Sequence, residues 1–408
     1  MRRVAVTGMA GISPVGNDWP AVRARLATGR NAVCRIAAWG DYEGLNTQLG
    51  APVKEFAIPA HYSRKATRSM GRVALMATRT AELALQEAGL LGDPIVRSGR
   101  VGISYGSSSG SPDALGDFSQ MLAEKTTVGI NANTYLKMMS HTAAVNIGVL
   151  LGIRGRVIPT SSACTSGSQG IGYAYESIKF ERQVAMISGG AEELSPSQAA
   201  VFDTLFAVSG RNTSPEATPR PFDRDRDGLV VGEGACTLIL EDLDHARARG
   251  ATIHAEIVGY GTNSDGTHVT QSNADTMRLA MELALEDAGL SPDAIGYINA
   301  HGTATTHGDI EESAAVFKLF GKRTPISSLK SYMGHTMGAC GALEAWMSIG
   351  MMNTELFFPT VNLDTVDPVC ADLDYIRGGG RILDCEYVMS NNFAFGGINT
   401  SLIFKRWR

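Results

Sequence analysis

Cys164 lies in VIPTSSACTSGSQGIGYAYESI (157–178), where an apolar run gives way to small hydroxyl residues and glycine and a helical pattern begins. A strand passing into a helix at that point aims unpaired backbone N–H groups and the positive end of the helix dipole at the sulfur, which lowers a thiol pKa and favours the thiolate. Ser162, Ala163, Ser166 and Gly167 are small enough to leave a substrate room. Cys34, Cys236, Cys340, Cys370 and Cys385 lack this context and read as structural residues. Two histidines occupy comparable turns: His301 in INAHGTATTHGD (298–309) and His335 in SLKSYMGHTMGACGALEA (328–345). A nucleophilic cysteine with two imidazoles suits acyl transfer, a carbon–sulfur exchange followed by activation of a second substrate. No C-x-x-C pair or His/Cys run suggests zinc, and neither a metal nor a cofactor is expected.

The elements that must position these residues are read from internal repetition. ELALQEAGL (82–90) and ELALEDAGL (282–290) agree at seven of nine positions, and each has the apolar spacing and terminal glycine of an amphipathic helix. Three landmarks follow in the same order in both halves. VAVTGMAGISPVG (4–16) is echoed by AEIVGYGTNSDG (255–266), and VGISYG (101–106) by IGYINAHG (295–302). GIGYAYESI (170–178) and GALEAWMSI (341–349) share Gly170/Gly341, Ala174/Ala345, Ser177/Ser348 and Ile178/Ile349. The chain therefore reads as two copies of one α/β unit, residues 1–251 and 252–408, with an insertion at about 105–150. Continuous apolar strands such as VAMISGG (184–190) and CTLILED (236–242) are those of sheets covered on both faces, so the copies stack as helix, sheet, helix, sheet, helix. Polar stretches at 107–113 and 209–220 read as surface loops. A shared plan makes the turns bearing Cys164 and His335 pseudo-symmetric and brings both to one cleft.

Composition agrees with this. A chain of 408 residues exceeds what one hydrophobic core usually spans. Its 46 glycines and 19% charged residues fit a large interior with many tight backbone sites. A net charge of −5 gives no basic field for nucleic acid. No apolar run approaches the roughly 20 residues of a membrane span, and the segment behind Arg2 and Arg3 is broken by Gly8, Gly11, Ser13 and Pro14, so it reads as strand and turn rather than signal peptide. The scattered cysteines suggest a reducing, cytoplasmic setting.

With these residues in view, the sequence resembles the beta-ketoacyl-acyl-carrier-protein synthases, the elongating condensing enzymes. The resemblance rests on SSACTSGSQGIGYA around Cys164, NAHGTAT at His301, KSYMGHTMGACGALEA with Lys330 and His335, RPFDRDRDGLVVGEGA (220–235) and NNFAFGGIN (391–399), and it runs almost end to end. It implies a thiolase-like fold of five α-β-α-β-α layers and a homodimer, or alternatively a heterodimer with a related subunit. It further implies that Cys164 carries the acyl chain as a thioester taken from an acyl carrier protein. His301 and His335 would hold the malonyl thioester through decarboxylation, and the N–H groups of Cys164 and Phe395 would form the oxyanion hole. Lys330 would orient the second histidine or polarise the site, with Glu344 on the following helix as its charge partner. Thr303 and Thr305 match hydroxyls on the pantetheine arm, Phe395 matches the gate of the acyl pocket, and Phe202 and Gly396 join the substrate-binding set. Arg64, Lys65, Arg68 and Arg72 supply a basic helical face for an acidic carrier protein. Thiolases use a second cysteine in the C-terminal glycine loop, where FAFGGIN has none; starter-unit synthases place Asn at the position of His335; non-catalytic chain-length subunits lack the nucleophile. Leu229 for Phe, Thr306 for Pro and Phe206 for Arg depart from the family pattern and suit a specialised polyene or polyketide synthase as the alternative to one of fatty acid synthesis, with a partner subunit that shapes the pocket of another ketosynthase as the further alternative.

Overall fold

Eleven strands carry the architecture of this computed structural model, which describes residues 1–408. In chain order they are β1 (Val4–Ile12), β2 (Val101–Gly106), β3 (Val157–Thr160), β4 (Ala185–Glu192), β5 (Gly234–Asp242), β6 (Ala255–Ser264), β7 (Ile295–Asn299), β8 (Pro325–Ser327), β9 (Asp374–Tyr375), β10 (Tyr387–Phe393) and β11 (Ile398–Arg406). Only Val4–Val6 of β1 pair with Ala255–Ile257 of β6, and this short junction divides the sheet into two halves. Outward from it the order is β1-β5-β4-β2-β3 on one side and β6-β11-β10-β7-β8 on the other, where the two-residue β9 adds one further edge strand that the first side lacks. On each side the two pairings nearest the junction are antiparallel and the next two parallel. The order and direction of the strands are thus the same twice over.

Eight helices complete the layers: α1 (Arg72–Glu87), α2 (Asp113–Glu124), α3 (Ala132–Met138), α4 (Thr142–Leu151), α5 (Ser166–Lys179), α6 (Ala274–Ala288), α7 (Thr306–Phe320) and α8 (Cys340–Thr354). α5 and α8 pack together between the two half-sheets, α1 and α4 cover one outer face, and α6 and α7 cover the other. The central position explains the composition of α8, in which every residue from Cys340 to Met352 is buried. The repeated helix sequence serves one repeated contact. A Cβ on Gly8 of β1 would come within 2.3 Å of the Ala84 carbonyl, and one on Gly259 of β6 within 2.4 Å of the Ala284 carbonyl. Each strand approaches its Ala-rich helix so closely that only hydrogen fits.

Three expectations are refined. The central helices correspond not at the register of the shared letters Gly170/Gly341 but three residues away: a one-turn segment Ala163–Thr165 leads into α5 and its twin Met337–Ala339 leads into α8. Of residues 105–150, α4 packs on α1 as α7 packs on α6, so the part without a counterpart narrows to the segment containing α2 and α3. The polar stretch 107–113 is no surface loop. Ser107, Gly110, Ser111 and Pro112 are buried, because the Glu192 carboxylate accepts from the Ser108 N–H (2.7 Å) and from the Ser107 and Ser109 hydroxyls (each 3.2 Å).

Replacing Gly8 or Gly259 by Ala overpacks the strand–helix contact, with an expected loss of about 1–3 kcal/mol of stability in each case. Urea unfolding of the two variants checks this, and wild-type midpoints would contradict the close approach.

Candidate active site

The strained turn before α5 determines where Cys164 sits. Ala163 has φ +49°, a conformation that L-residues adopt at a cost. It is held by the Thr165 N–H on the Ser162 carbonyl (3.1 Å) and by the Ser166 hydroxyl on its own carbonyl (2.7 Å). Cys164 follows immediately and is buried. Its structural twin in the second half is Gly338, so the sulfur belongs to one copy only. His335 reaches it because the second copy has a longer connection. Two residues separate β3 from Ala163, whereas nine separate β8 from Met337, and those nine contain Lys330 and His335.

The His335 Nε2 lies 3.0 Å from the Cys164 Sγ. The two imidazole rings stand 5.2 Å apart and nearly perpendicular, and a ring nitrogen of each lies within 4.8 Å of the sulfur and of the other. The Nδ1 atoms have equally defined partners. The Met337 backbone N–H donates to Nδ1 of His335 (3.2 Å), and the Lys330 ammonium, 3.2 Å away, donates to Nδ1 of His301. Burial lowers both imidazole pKa values well below the usual range, and the Lys330 charge lowers them further. Both rings are therefore neutral with the proton on Nε2, the nitrogen left to the cleft.

The same pattern decides whether the Cys164, His301 and His335 cluster suits a metal. A metal-bound imidazole needs a bare ligating nitrogen and an acceptor on the opposite N–H. Here the second partners are an ammonium and a backbone N–H, both donors, so the residues fit a hydrogen-bond donor pair and not a metal centre.

Lys330 and Glu344 are buried and paired at 2.5 Å. Burial acts against the Lys330 charge, but Glu344 outweighs it and holds the ammonium pKa above its usual value. Asn392, a residue the sequence reading missed, donates to the other Glu344 oxygen (2.8 Å) and stands 3.5 Å from Nδ1 of His301. Two carboxylates on α7 were missed as well. Glu312 accepts the N–H groups of His301 and Gly302 (each 2.7 Å), and Asp309 accepts those of Thr303 (3.0 Å) and Ala304 (3.1 Å). Burial pushes Glu312 up to about 8 and Asp309 up to about 6. Their visible signal was the i, i+3 spacing in HGDIEE, directly behind the histidine turn.

The thiol differs from expectation. Burial pushes Cys164 up to about 11, although the Lys330 charge and the N–H groups of Phe395 and of Cys164 itself pull it down. Those two N–H groups converge on the sulfur, the arrangement an oxyanion hole requires. Phe202, Thr303, Thr305 and Phe395 line the cavity above Cys164, the Phe202 and Phe395 rings lie 5.2 Å apart, and the two threonine hydroxyls are 2.9 Å apart. Leu229 lines the same cavity.

Two of the expected residues lie elsewhere. Gly396 is not among the residues lining that cavity: its N–H is taken by the Val269 carbonyl (2.7 Å) and it has φ +87°, so it makes the turn beside Phe395. Arg72 donates through Nε and Nη2 to the Glu233 carboxylate (each 2.8 Å) and is no part of a free basic face. The break between the short helix Arg64–Thr67 and α1 interrupts the four-residue spacing, leaving Arg64, Lys65 and Arg68 as the exposed cations. No helix is long and apolar enough to cross a membrane.

Comparison with known proteins agrees with this geometry. Residues 1–246 match the beta-ketoacyl synthase N-terminal domain and residues 254–364 the C-terminal domain. The chain is 37% identical, over 99% of each sequence, to 3-oxoacyl-[acyl-carrier-protein] synthase 2 of Vibrio cholerae serotype O1. It superposes on the crystal structure of a beta-ketoacyl synthase from Burkholderia phymatum STM815 with a TM-score of 0.99 at 59% identity, covering all of both chains. The ishigamide ketosynthase/chain length factor gives 0.91 at 31%, again over the whole of both. With its duplicated, thiolase-like α/β fold, the chain belongs to the beta-ketoacyl synthase family.

Proposed function

We propose that this chain is a 3-oxoacyl-[acyl-carrier-protein] synthase of fatty acid biosynthesis, with Cys164, His301 and His335 as its catalytic residues. The observation that carries the reading is the pair of Nε2–H donors facing a buried cysteine. In the first half-reaction the Cys164 sulfur attacks the carbonyl of an acyl thioester on an acyl carrier protein. The oxyanion is met by the N–H groups of Cys164 and Phe395, the carbon–sulfur bond to the carrier arm breaks, and the released arm thiol takes the proton. In the second, a malonyl thioester occupies the cleft with its carbonyl oxygen on His301 and His335. Its carbon–carbon bond to the carboxylate breaks, CO2 leaves, and the electron pair stays as an enolate stabilised by the two donors. The enolate carbon attacks the acyl-enzyme carbonyl, and collapse of the adduct releases the Cys164 thiolate and a 3-oxoacyl chain on the carrier. Lys330 and Glu344 act through His301: the fixed positive charge at Nδ1 keeps the ring neutral and makes its Nε2–H a stronger donor. Thr303 and Thr305 hold the pantetheine arm, and Phe395 with Phe202 gates the acyl side.

A second reading, a ketosynthase of a specialised polyene or polyketide pathway, is favoured by the likeness to the ishigamide ketosynthase. For assembly we favour a homodimer over a heterodimer with a related subunit. β3 ends the sheet with an unpaired edge, Val157 on it is exposed, and α4 beside it exposes Val145 and Val149, a surface that isolated sheets do not normally leave uncovered.

Cys164→Ala is expected to abolish covalent acyl loading and condensation, whereas His301→Ala retains loading and slows condensation by at least about 100-fold. Intact-mass analysis and CO2 release with purified protein check both, and loading of the Cys164→Ala variant would overturn the reading. Incubation with a panel of acyl carrier proteins reports which chains Cys164 accepts. Phe395→Ala is expected to alter loading rates across that panel, and unchanged rates would remove the gate. With the free thiol near 11, alkylation of Cys164 by iodoacetamide rises about tenfold per pH unit from pH 7 to 10. A plateau below pH 8 would show that the converging N–H groups and the helix end prevail over burial.

A further inference from the structure

The two strained turns at the heads of the central helices are held by different means. They share a backbone bond, the Ala339 N–H on the Thr336 carbonyl (2.9 Å) matching the Thr165 N–H on the Ser162 carbonyl. In the first copy the Ser166 hydroxyl adds a clamp from within, accepting from the Ser162 N–H (2.9 Å) and donating to the Ala163 carbonyl (2.7 Å). The equivalent residue at the start of α8 is Cys340, and its thiol bonds instead to the Cys164 carbonyl (3.2 Å). The Thr336 hydroxyl, in the place of Ser162, is buried without a partner. Met337 nevertheless keeps φ +47°, a conformation that persists only where the surroundings impose it.

The missing clamp comes from the other copy. The Gly338 N–H donates to Oε2 of Glu192, the last residue of β4, at 3.0 Å. Glu192 is fully buried, and its other partners are the Ser108 N–H and the Ser107 and Ser109 hydroxyls. All four partners are donors, which is what a buried carboxylate requires. The contact has no slack: a Cβ on Gly338 would lie 2.7 Å from Oε2, and one on Gly190 of β4 would lie 2.3 Å from the Gly338 carbonyl. Directly before Gly338 stands Met337, whose N–H occupies Nδ1 of His335.

Resting on the condensation reading above, we infer that Glu192 is a positioning residue for decarboxylation. By anchoring Gly338 it keeps the Met337 N–H on Nδ1 of His335, and so keeps the Nε2–H of that ring aimed into the cleft. The consequence is a division between the half-reactions. Acylation of Cys164 relies on the N–H groups of Cys164 and Phe395, which Glu192 does not hold, whereas decarboxylation relies on His335.

Glu192→Ala removes the anchor. Glu192→Gln restores it, since an amide oxygen takes the Ser108 and Gly338 N–H groups while the amide NH2 donates to the serine hydroxyls. Two rates are measured: acylation of Cys164 by an octanoyl-loaded bacterial acyl carrier protein, followed by intact mass, and CO2 release when the malonyl form is added to the acylated enzyme. Glu192→Ala is expected to slow CO2 release at least about tenfold, short of the roughly 100-fold of a lost donor, with acylation within about threefold of wild type. Glu192→Gln is expected to keep both rates within about threefold of wild type. In a His335→Ala background, Glu192→Ala is expected to slow CO2 release by less than about a further twofold, because both changes remove one interaction. A purely structural role would give the same factor in both backgrounds. That result, a parallel loss of acylation, or wild-type CO2 release in Glu192→Ala overturns the positioning role. If Glu192→Ala does not fold, Gly338→Ala, whose Cβ displaces the carboxylate, goes through the same cycle with the same deciding outcomes. Failure of the wild type to release CO2 from the malonyl carrier overturns the condensation reading and the positioning role with it.

Discussion

The buried ion pair between Lys330 and Glu344 is the constraint on which the site depends. Two charges removed from water are costly, and such a pair persists when further hydrogen bonds satisfy what remains of it. Here Asn392 takes one Glu344 oxygen, and the ammonium turns its remaining capacity toward Nδ1 of His301. The ion pair thereby chooses a tautomer. A carboxylate in place of Lys330 would draw the proton to Nδ1 and leave Nε2 a base or a metal ligand; the ammonium does the reverse. His335 reaches the same state by a cheaper route, through one backbone N–H from Met337. The two routes give two identical donors from unlike surroundings, and that convergence is what makes the cleft suited to an enolate oxygen rather than to proton abstraction.

The duplication explains why those donors can meet a sulfur from the other half. The strand orders match, the Gly8 and Gly259 contacts match, and the two central helices begin in the same kind of strained turn at Ala163 and Met337. Had the copies remained identical, the cleft would hold two equivalent groups. At the cleft the divergence lies in the connection that leads into each central helix. The longer connection after β8 carries Lys330 and His335 across the pseudo-twofold, and the position equivalent to the nucleophile has become Gly338, whose carbonyl sits 2.8 Å from where a Gly167 Cβ would be. Nucleophile and donors are thus divided between copies by the insertion of a few residues.

Much of this was legible in the sequence, and the exceptions have physical causes. The repeat ELALQEAGL/ELALEDAGL located the two units because a helix packed against a glycine strand tolerates little change. Cys164, His301 and His335 stood out because each sits where a strand gives way to a glycine-rich turn, and the repeat brings the turns of Cys164 and His335 to one cleft. Asn392, Glu312 and Asp309 did not stand out: the i, i+3 carboxylates in HGDIEE read equally as an ordinary helix face, and nothing local in NNFAFGGIN shows that Asn392 donates to Glu344. The register of α5 and α8 was misread for a related reason: shared small residues report a close helix approach, not the point at which the helix begins. Arg72 belonged to the basic pattern by spacing, but spacing cannot show that Glu233 lies opposite.

The thiol presents two opposing demands. Sequence context argues for a lowered pKa, since a helix start and converging N–H groups favour a thiolate. Burial argues against it, and Cys164 is enclosed by α8, the His335 turn and the Phe395 loop. The same enclosure that penalises a thiolate also strengthens every hydrogen bond to a transient oxyanion or enolate, because both sit where water cannot screen them. A cysteine left in water would be easier to ionise, and its tetrahedral adduct would be less well held. In this fold the buried sulfur gives up resting ionisation for a setting in which charge created beside it is held by unscreened N–H donors.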